Sequence, residues 1–202
     1  MYAINVILWT AAGYLSGGVL FSYLIPKALF NKDVRDFNED KNPGAANAFR
    51  ACGLLIGLLC VLLDVIKAAA PVKLAITVGG LDGIALIPAA IAPVIGHAFP
   101  PYFRIHGGKA IAASFGVLLG LFPDYKVVVL WAASILVMLP FLWRNHAKLI
   151  MASSSAYSIA CVVLYLSHLH IWIIAVSITA ILWYKHLPEI FRDKRAARAK
   201  LS

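Results

Sequence analysis

The stretch GHAFPPYFRIHGGKA, residues 96–110, decides how the rest of the chain is read. Two His, one Arg, one Lys, a Pro pair and a Gly pair fall within fifteen residues, between segments that are almost wholly apolar. Pro100-Pro101 blocks continuation of a preceding helix, because neither ring nitrogen can donate a hydrogen bond. Gly107-Gly108 permits a tight turn, and Lys109-Ala110 opens the next helix. The stretch is thus a polar loop joining two apolar helices.

Composition sets the solvent of those helices. Of 202 residues, 62% are hydrophobic and 13% charged, whereas soluble domains average about 25% charged. That excludes an ordinary soluble domain and points to an integral membrane protein. The net charge of +9 does not make a nucleic-acid surface. The cations cluster in loops between apolar runs, the pattern of membrane topology and of contact with anionic lipid. Cys52, Cys60 and Cys161 lie inside apolar runs without a Cys-x-x-Cys and read as small core residues. The N-terminal MYAINVILWTAAGYL lacks the basic start of a cleavable signal and reads as a retained first span.

A bilayer core of about 30 Å asks for roughly 20 apolar residues per helix. Seven segments qualify: Ile4–Pro26, Ala46–Ala69, Asp82–Phe99, a short one at Ala110–Phe122, Val127–Trp143, Leu149–Ser167 and Leu169–Tyr184. The expected fold class is therefore all-α, a polytopic membrane protein of seven transmembrane helices. Residues 1–202 form one domain, with a basic tail over 185–202. Seven spans place fifteen of the eighteen Lys and Arg on one side, leaving Lys67, Lys73 and Lys126. The positive-inside rule makes that side cytoplasmic, with the N-terminus external and the C-terminus cytoplasmic.

Two loops on that side carry chemistry. In FNEDKNPGAANAFRACGLL, Asn42-Pro43 reads as an N-cap followed by a first helical proline. Gly44 and the alanines after it let a ligand approach the backbone, free helix-start N–H groups attract anions, and Arg50 follows within two turns. The quoted loop repeats the theme: Gly107-Gly108-Lys109 offers N–H donors beside a mobile cation, with His97 at the membrane boundary. Its spacing is not that of a Walker A loop. Asp64 and Lys67, at i and i+3 in the second span, can pair, and an intramembrane ionisable pair is a candidate functional element. No Gly-x-Ser-x-Gly elbow, metal-ligand cluster or His-x-x-x-x-Asp is present in the sequence. Two phosphate-sized sites without a protein nucleophile suit substrates that carry phosphates and a donor already activated.

The order of these elements, an apolar Gly-rich segment, then NPGAANAFR, DVIKA and GHAFPPYFRIHGGKA, resembles the bacterial acyl-phosphate:glycerol-3-phosphate acyltransferase family (PlsY). The resemblance covers most of the chain. It implies a small seven-span enzyme of the bacterial inner membrane with a cytoplasmic active site. Such an enzyme moves a fatty acyl group from acyl phosphate to the 1-hydroxyl of glycerol 3-phosphate, giving lysophosphatidic acid. It implies no cofactor and no metal, glycerol 3-phosphate and acyl phosphate as partners, anionic lipid at the cytoplasmic face, no nucleic acid, and a monomer. Carried over by residue, His97, Lys109 and Arg50 would be catalytic. Asn42, Gly44, Asn47, Gly107 and Gly108 would bind substrate, with Asp40, Lys67 and Glu189 beside them.

The chain departs from the family's pattern at several positions. Glu39-Asp40-Lys41 stands where the family has Gly-Ser-Gly, Ala46 where it has Thr, and Ala110 where it has Gly. Gly18 and Leu20 replace a Ser and a Pro, and Glu189 aligns with an Asn. Asp40 should repel a phosphate unless it turns away or pairs with a cation such as Lys41. The alternative readings are a divergent or inactive relative with another acceptor, and a non-enzymatic membrane protein of the same architecture. A conduit should carry polar groups through the midplane, whereas here they gather at one face.

Overall fold

The computed structural model of the protein describes residues 2–102 and 106–199, with side chains to Arg192. Arg104 of the quoted loop, and the tail side chains beyond Arg192, lie outside the described residues. The secondary structure among the described residues is helical. The chain divides into two compact units, Met1–Tyr125 and Lys126–Ser202.

The first unit contains α1 (Tyr2–Gly18), α2 (Phe21–Phe30), a 3-10 turn (Val34–Phe37), α3 (Ala45–Thr77), α4 (Gly83–Ala98) and α5 (Ile111–Gly120). Helix α1 packs on α4, and α3 on α5. Small residues make the first contact possible: a Cβ at Gly17 would stand 2.1 Å from the Pro93 carbonyl oxygen, and one at Gly96 2.1 Å from that of Tyr14. Backbones in lipid approach through such positions, since apolar side chains gain nothing by leaving the hydrocarbon. The second unit contains α6 (Lys126–Leu142), α7 (His146–Leu164) and α8 (Leu169–Ala199). Hydrogen bonds tie α7 to α8: Ser158 Oγ to the Ala175 carbonyl at 3.1 Å, Thr179 Oγ1 to that of Ser154 at 2.9 Å, and Trp183 Nε1 to that of Met151 at 3.2 Å.

Polarity is inverted relative to a soluble fold. Leu55 is 80% exposed, while Asp64 and His97 are 1% and 3% exposed. Apolar faces of that extent suit hydrocarbon around the molecule. By length and composition, α3, α7 and α8 can each cross a membrane. The pair α1 and α2 can serve as a fourth span, bent by 43°. Helices α4, α5 and α6 are apolar but shorter. All seven segments expected as spans correspond to helical stretches, and the first is not one rod. It breaks at Val19-Leu20, between α1 and α2.

The other expected helix starts also shift. Helix α3 begins at Ala45 with Gly44 as its N-cap, not at Pro43 with Asn42 as the cap. The Asn42 backbone is engaged elsewhere: its N–H donates to Asp40 and its carbonyl accepts from Asn47. Gly53, at φ 81° and ψ −175°, then divides α3 after its first two turns. Helix α5 begins at Ile111, and its N-cap, Ala110, holds the left-handed conformation at φ 64°. That is where the resemblance places a glycine, and Gly107 and Gly108 are not in that conformation.

Candidate active site

The loop before α3 and the start of α5 meet around one carboxylate. Lys109 Nζ donates to Asp40 Oδ2 at 2.7 Å. The Asn42 N–H and the Asn47 side-chain amide donate to Asp40 Oδ1 at 3.1 and 3.2 Å. Asn47 is fixed in turn: its amide also donates to the Asn42 carbonyl at 2.8 Å, and its oxygen accepts from Arg50 at 2.6 Å. Burial alone would raise the Asp40 pKa. The Lys109 hydrogen bond, the Asn42 N–H, the Lys109 charge and the Asn47 amide outweigh it and hold the carboxyl at about 2. The cation that takes up Asp40 is therefore Lys109, across the fold, and not the neighbouring Lys41. A cation, a backbone N–H and a side-chain amide around one anion make up what a phosphate-binding loop offers. In this chain an internal carboxylate fills that cradle.

Beneath this loop lies a second, buried group. Lys67 Nζ forms an ion pair with Asp64 Oδ1 at 2.6 Å, as the i, i+3 spacing predicts. It also donates to the Val19 carbonyl, which the break between α1 and α2 leaves open, and lies 3.0 Å from His97 Nδ1. Ser22 Oγ donates to Asp64 Oδ2 at 2.5 Å, and Ser16 Oγ to the Lys67 carbonyl at 2.7 Å. An ammonium has no lone pair, so His97 Nδ1 accepts and the ring proton of the neutral imidazole sits on Nε2. Nε2 faces Gly108, where a Cβ would stand 2.1 Å from it. The Gly108 N–H donates to the His97 carbonyl at 3.0 Å, so the Gly-Gly-Lys loop rests against the histidine. Gly107 is equally tight: a Cβ there would stand 2.3 Å from the His97 carbonyl oxygen. The glycine pair thus serves close approach and not a left-handed turn.

The fold brings together Asp40, Asn42, Gly44, Asn47, Arg50, Lys67, His97, Gly107, Gly108 and Lys109, all in the first unit. Ser16, Ser22 and the Val19 carbonyl were not anticipated. The serines are lone hydroxyls in an apolar run, which is a weak signal, and no sequence pattern marks a carbonyl freed by a helix break. Glu189 belongs to the second unit, on α8. There one ligand atom each from His146, His186 and Glu189 lie within 4.8 Å of one another. The sequence reading expected no metal-ligand cluster. The antiparallel pairing of α7 and α8 brings these three side chains together, His146 lying forty or more residues before the other two.

Residues 7–195 match the glycerol-3-phosphate acyltransferase family. The chain belongs to that family. The glycerol-3-phosphate acyltransferase of Aquifex aeolicus is 34% identical over 89% of this chain and 90% of its own length. That of Enterococcus faecalis is 28% identical over 98% and 93%. Glycerol-3-phosphate acyltransferase 2 of Thermotoga maritima is 42% identical, over 55% of this chain; the matched stretch spans 56% of that relative's length. The crystal structure of PlsY (YgiH), an integral membrane glycerol 3-phosphate acyltransferase, in its glycerol 3-phosphate form, superposes with a TM-score of 0.82. It is 27% identical, over 95% of this chain and 92% of that one. The lysophosphatidic acid form gives 0.79 at 26% identity. The family resemblance read from the motifs is borne out. So is the all-helical integral membrane class.

Proposed function

We propose that this chain transfers a fatty acyl group from acyl phosphate to the 1-hydroxyl of glycerol 3-phosphate, in the synthesis of membrane phospholipid. The observation that carries the reading is the anion cradle of Lys109, the Asn42 N–H and Asn47, with Arg50 behind it and His97 below. Family membership supports it, as does the likeness to an acyltransferase solved with glycerol 3-phosphate.

The chemistry needs no acylated side chain. The acceptor hydroxyl oxygen bonds to the acyl carbon, the bond from that carbon to the phosphate oxygen breaks, and the phosphate leaves with the hydroxyl proton. The protein aligns the two reactants and stabilises charge. Lys109 and Arg50 neutralise phosphate oxygens, and the Asn42 N–H and the Asn47 side-chain amide, which hold Asp40 in the absence of phosphate, orient them. His97, with its proton on Nε2, donates to an anionic oxygen and does not act as a base. Lys67 and Asp64 hold that ring in place. The acceptor's phosphate must displace Asp40 from Lys109, so acceptor affinity is set partly by an internal competitor.

The enzyme crosses the bacterial cell membrane seven times, with its N-terminus external and its site and C-terminus cytoplasmic. It works as a monomer with anionic lipid around its basic face. The charge asymmetry of fifteen against three supports this topology. A second reading, a relative with a different acceptor, is favoured by Asp40 alone, since a carboxylate in the cradle suits a cationic or neutral headgroup. Phosphate release by the purified protein, given acyl phosphate with glycerol 3-phosphate, tests the first reading. Release that needs acyl phosphate but ignores glycerol 3-phosphate favours the second.

A further inference from the structure

We propose that Lys32 is a positioning residue of the acyltransferase site: its ammonium latches the short helix that carries Asn47 and Arg50. The inference rests on the phosphate role given above to Arg50 and extends it to a residue outside both glycine-rich loops.

That helix is a separate piece of α3. Gly53, at φ 81° and ψ −175°, holds a conformation open to glycine and costly for other residues. Residues 45–52 therefore form two turns jointed to the rest of the helix. Phe49 and Gly57 show that the joint is bent. Eight residues along an unbroken helix span about 12 Å, and side chains lean towards its start. Yet the Phe49 ring lies over Gly57, where a Cβ would stand 2.1 Å from Phe49 Cδ1. Asn47 and Arg50 thus stand on an element whose direction the long part of α3 does not dictate. Ala48 and Ala51, 0% and 4% exposed, pack with Val34 and Cys60. Methyl groups of that size make few contacts and leave rotation about the joint weakly fixed.

Lys32 supplies the directional tie. Its Nζ donates at 2.6 Å to the carbonyl of Ala51, the residue that follows Arg50. Carbonyls that end a helical segment lack the donor of a following turn, and a lysine there completes the segment and suits its negative dipole end. The base of the lysine is itself held. Asn31, at φ 50°, closes α2, and the Lys32 N–H donates to the Pro26 carbonyl at 3.1 Å. On the other side, Asp33 accepts from the Arg35 N–H at 3.1 Å, and Val34 is fully buried. The Phe37 ring lies beneath the ammonium, its centroid 5.9 Å from Nζ. Lys32 thus joins a fixed corner of the chain to the backbone beside Arg50. Arg50 in turn donates to Asn47, whose amide forms part of the cradle. Nothing in this role requires Lys32 to touch substrate.

Hydrogen exchange of the full-length protein in detergent, read by mass spectrometry, tests the latch without reference to activity. Amides of residues 45–52 should exchange about threefold faster or more in Lys32→Met. Lys32→Arg, which can donate to the same carbonyl, should restore protection, and unchanged exchange in Lys32→Met would overturn the latch. With acyl phosphate and glycerol 3-phosphate, Lys32→Met should lower kcat/KM about fivefold. Lys32→Arg should regain it, and Lys27→Met, which removes a neighbouring charge on α2, should leave it unchanged. In an Arg50→Ala background the Lys32→Met change should cost less than about twofold, because Lys32 acts through Arg50. The same loss in both backgrounds, or from Lys27→Met, would reduce Lys32 to one charge among several and sink the positioning role. A parent that releases no phosphate would strike the acyltransferase reading instead, and the exchange result would still decide the latch.

Discussion

Lys109 Nζ and Asp40 Oδ2 are 2.7 Å apart although sixty-nine residues separate them in sequence. This one contact joins the two glycine-rich loops, and it does so with the cation that the proposed chemistry needs for phosphate. Folding and acceptor binding therefore compete for the same ammonium.

Asp40→Ser should lower the KM for glycerol 3-phosphate. A hydrogen bond to a charged group contributes about 1.5–3 kcal/mol, so a shift on the order of tenfold is expected in steady-state assays. Stability should move the other way. The carboxyl titrates at about 2 in the folded protein against 3.8 ordinarily. Its contribution is full above about pH 4 and is lost as pH falls through 2. Melting curves of variant and parent should differ at pH 6 and converge near pH 2. A rise in KM would give Asp40 a positive role in acceptor recognition.

Lys109→Ala and Arg50→Ala should each cut turnover about thirtyfold or more, since losing one partner of a desolvated charge pair costs about 2–5 kcal/mol. Both proteins should still insert and remain helical by circular dichroism. Near-normal rates in both would move the site elsewhere.

Asp64→Asn or Lys67→Met alone leaves one buried charge uncompensated, at a cost of about 3–5 kcal/mol. The double variant should regain most of the lost thermal stability in detergent. Activity should not return with it, because His97 loses the Lys67 donor that sets its tautomer. Recovery of both together would make the pair purely structural.

Two glycine-related substitutions should act in opposite directions. Gly108→Ala puts a methyl 2.1 Å from His97 Nε2; overpacking of that kind costs about 1–3 kcal/mol and should displace the ring and depress kcat. Ala110→Gly relieves a left-handed residue at φ 64° and should stabilise by about 1 kcal/mol, read as a higher Tm.

A reporter fused after Ser202 should be cytoplasmic and one fused before Met1 external. Both reporters on the same side would contradict an odd number of spans.

Much of this site was legible in the chain because its residues lie in short motifs with local geometry. Asp64 and Lys67 pair because i, i+3 fixes them on one helix face. His97 and the Gly-Gly-Lys loop are near each other because ten residues separate them. What escaped notice depends on contacts between distant segments. Adjacency offers Lys41 as one cation for Asp40, whereas Lys109 reaches it only once α3 and α5 pack. Asn42 looked like a cap until Asn47 and Asp40 claimed its backbone. His146 and His186 carry no shared pattern, since the register of α7 on α8 is written in scattered Ser, Thr and Trp hydrogen bonds.

The break at Val19-Leu20 has a consequence for how such a site is dissected. The Val19 oxygen that receives Lys67 belongs to the main chain, so it has no rotamer, no proton to lose and no codon of its own. Alanine scanning is blind to it. An amide-to-ester replacement at the 19–20 linkage, which makes that carbonyl a poorer acceptor while sparing every side chain, would register its share of the Lys67 anchorage.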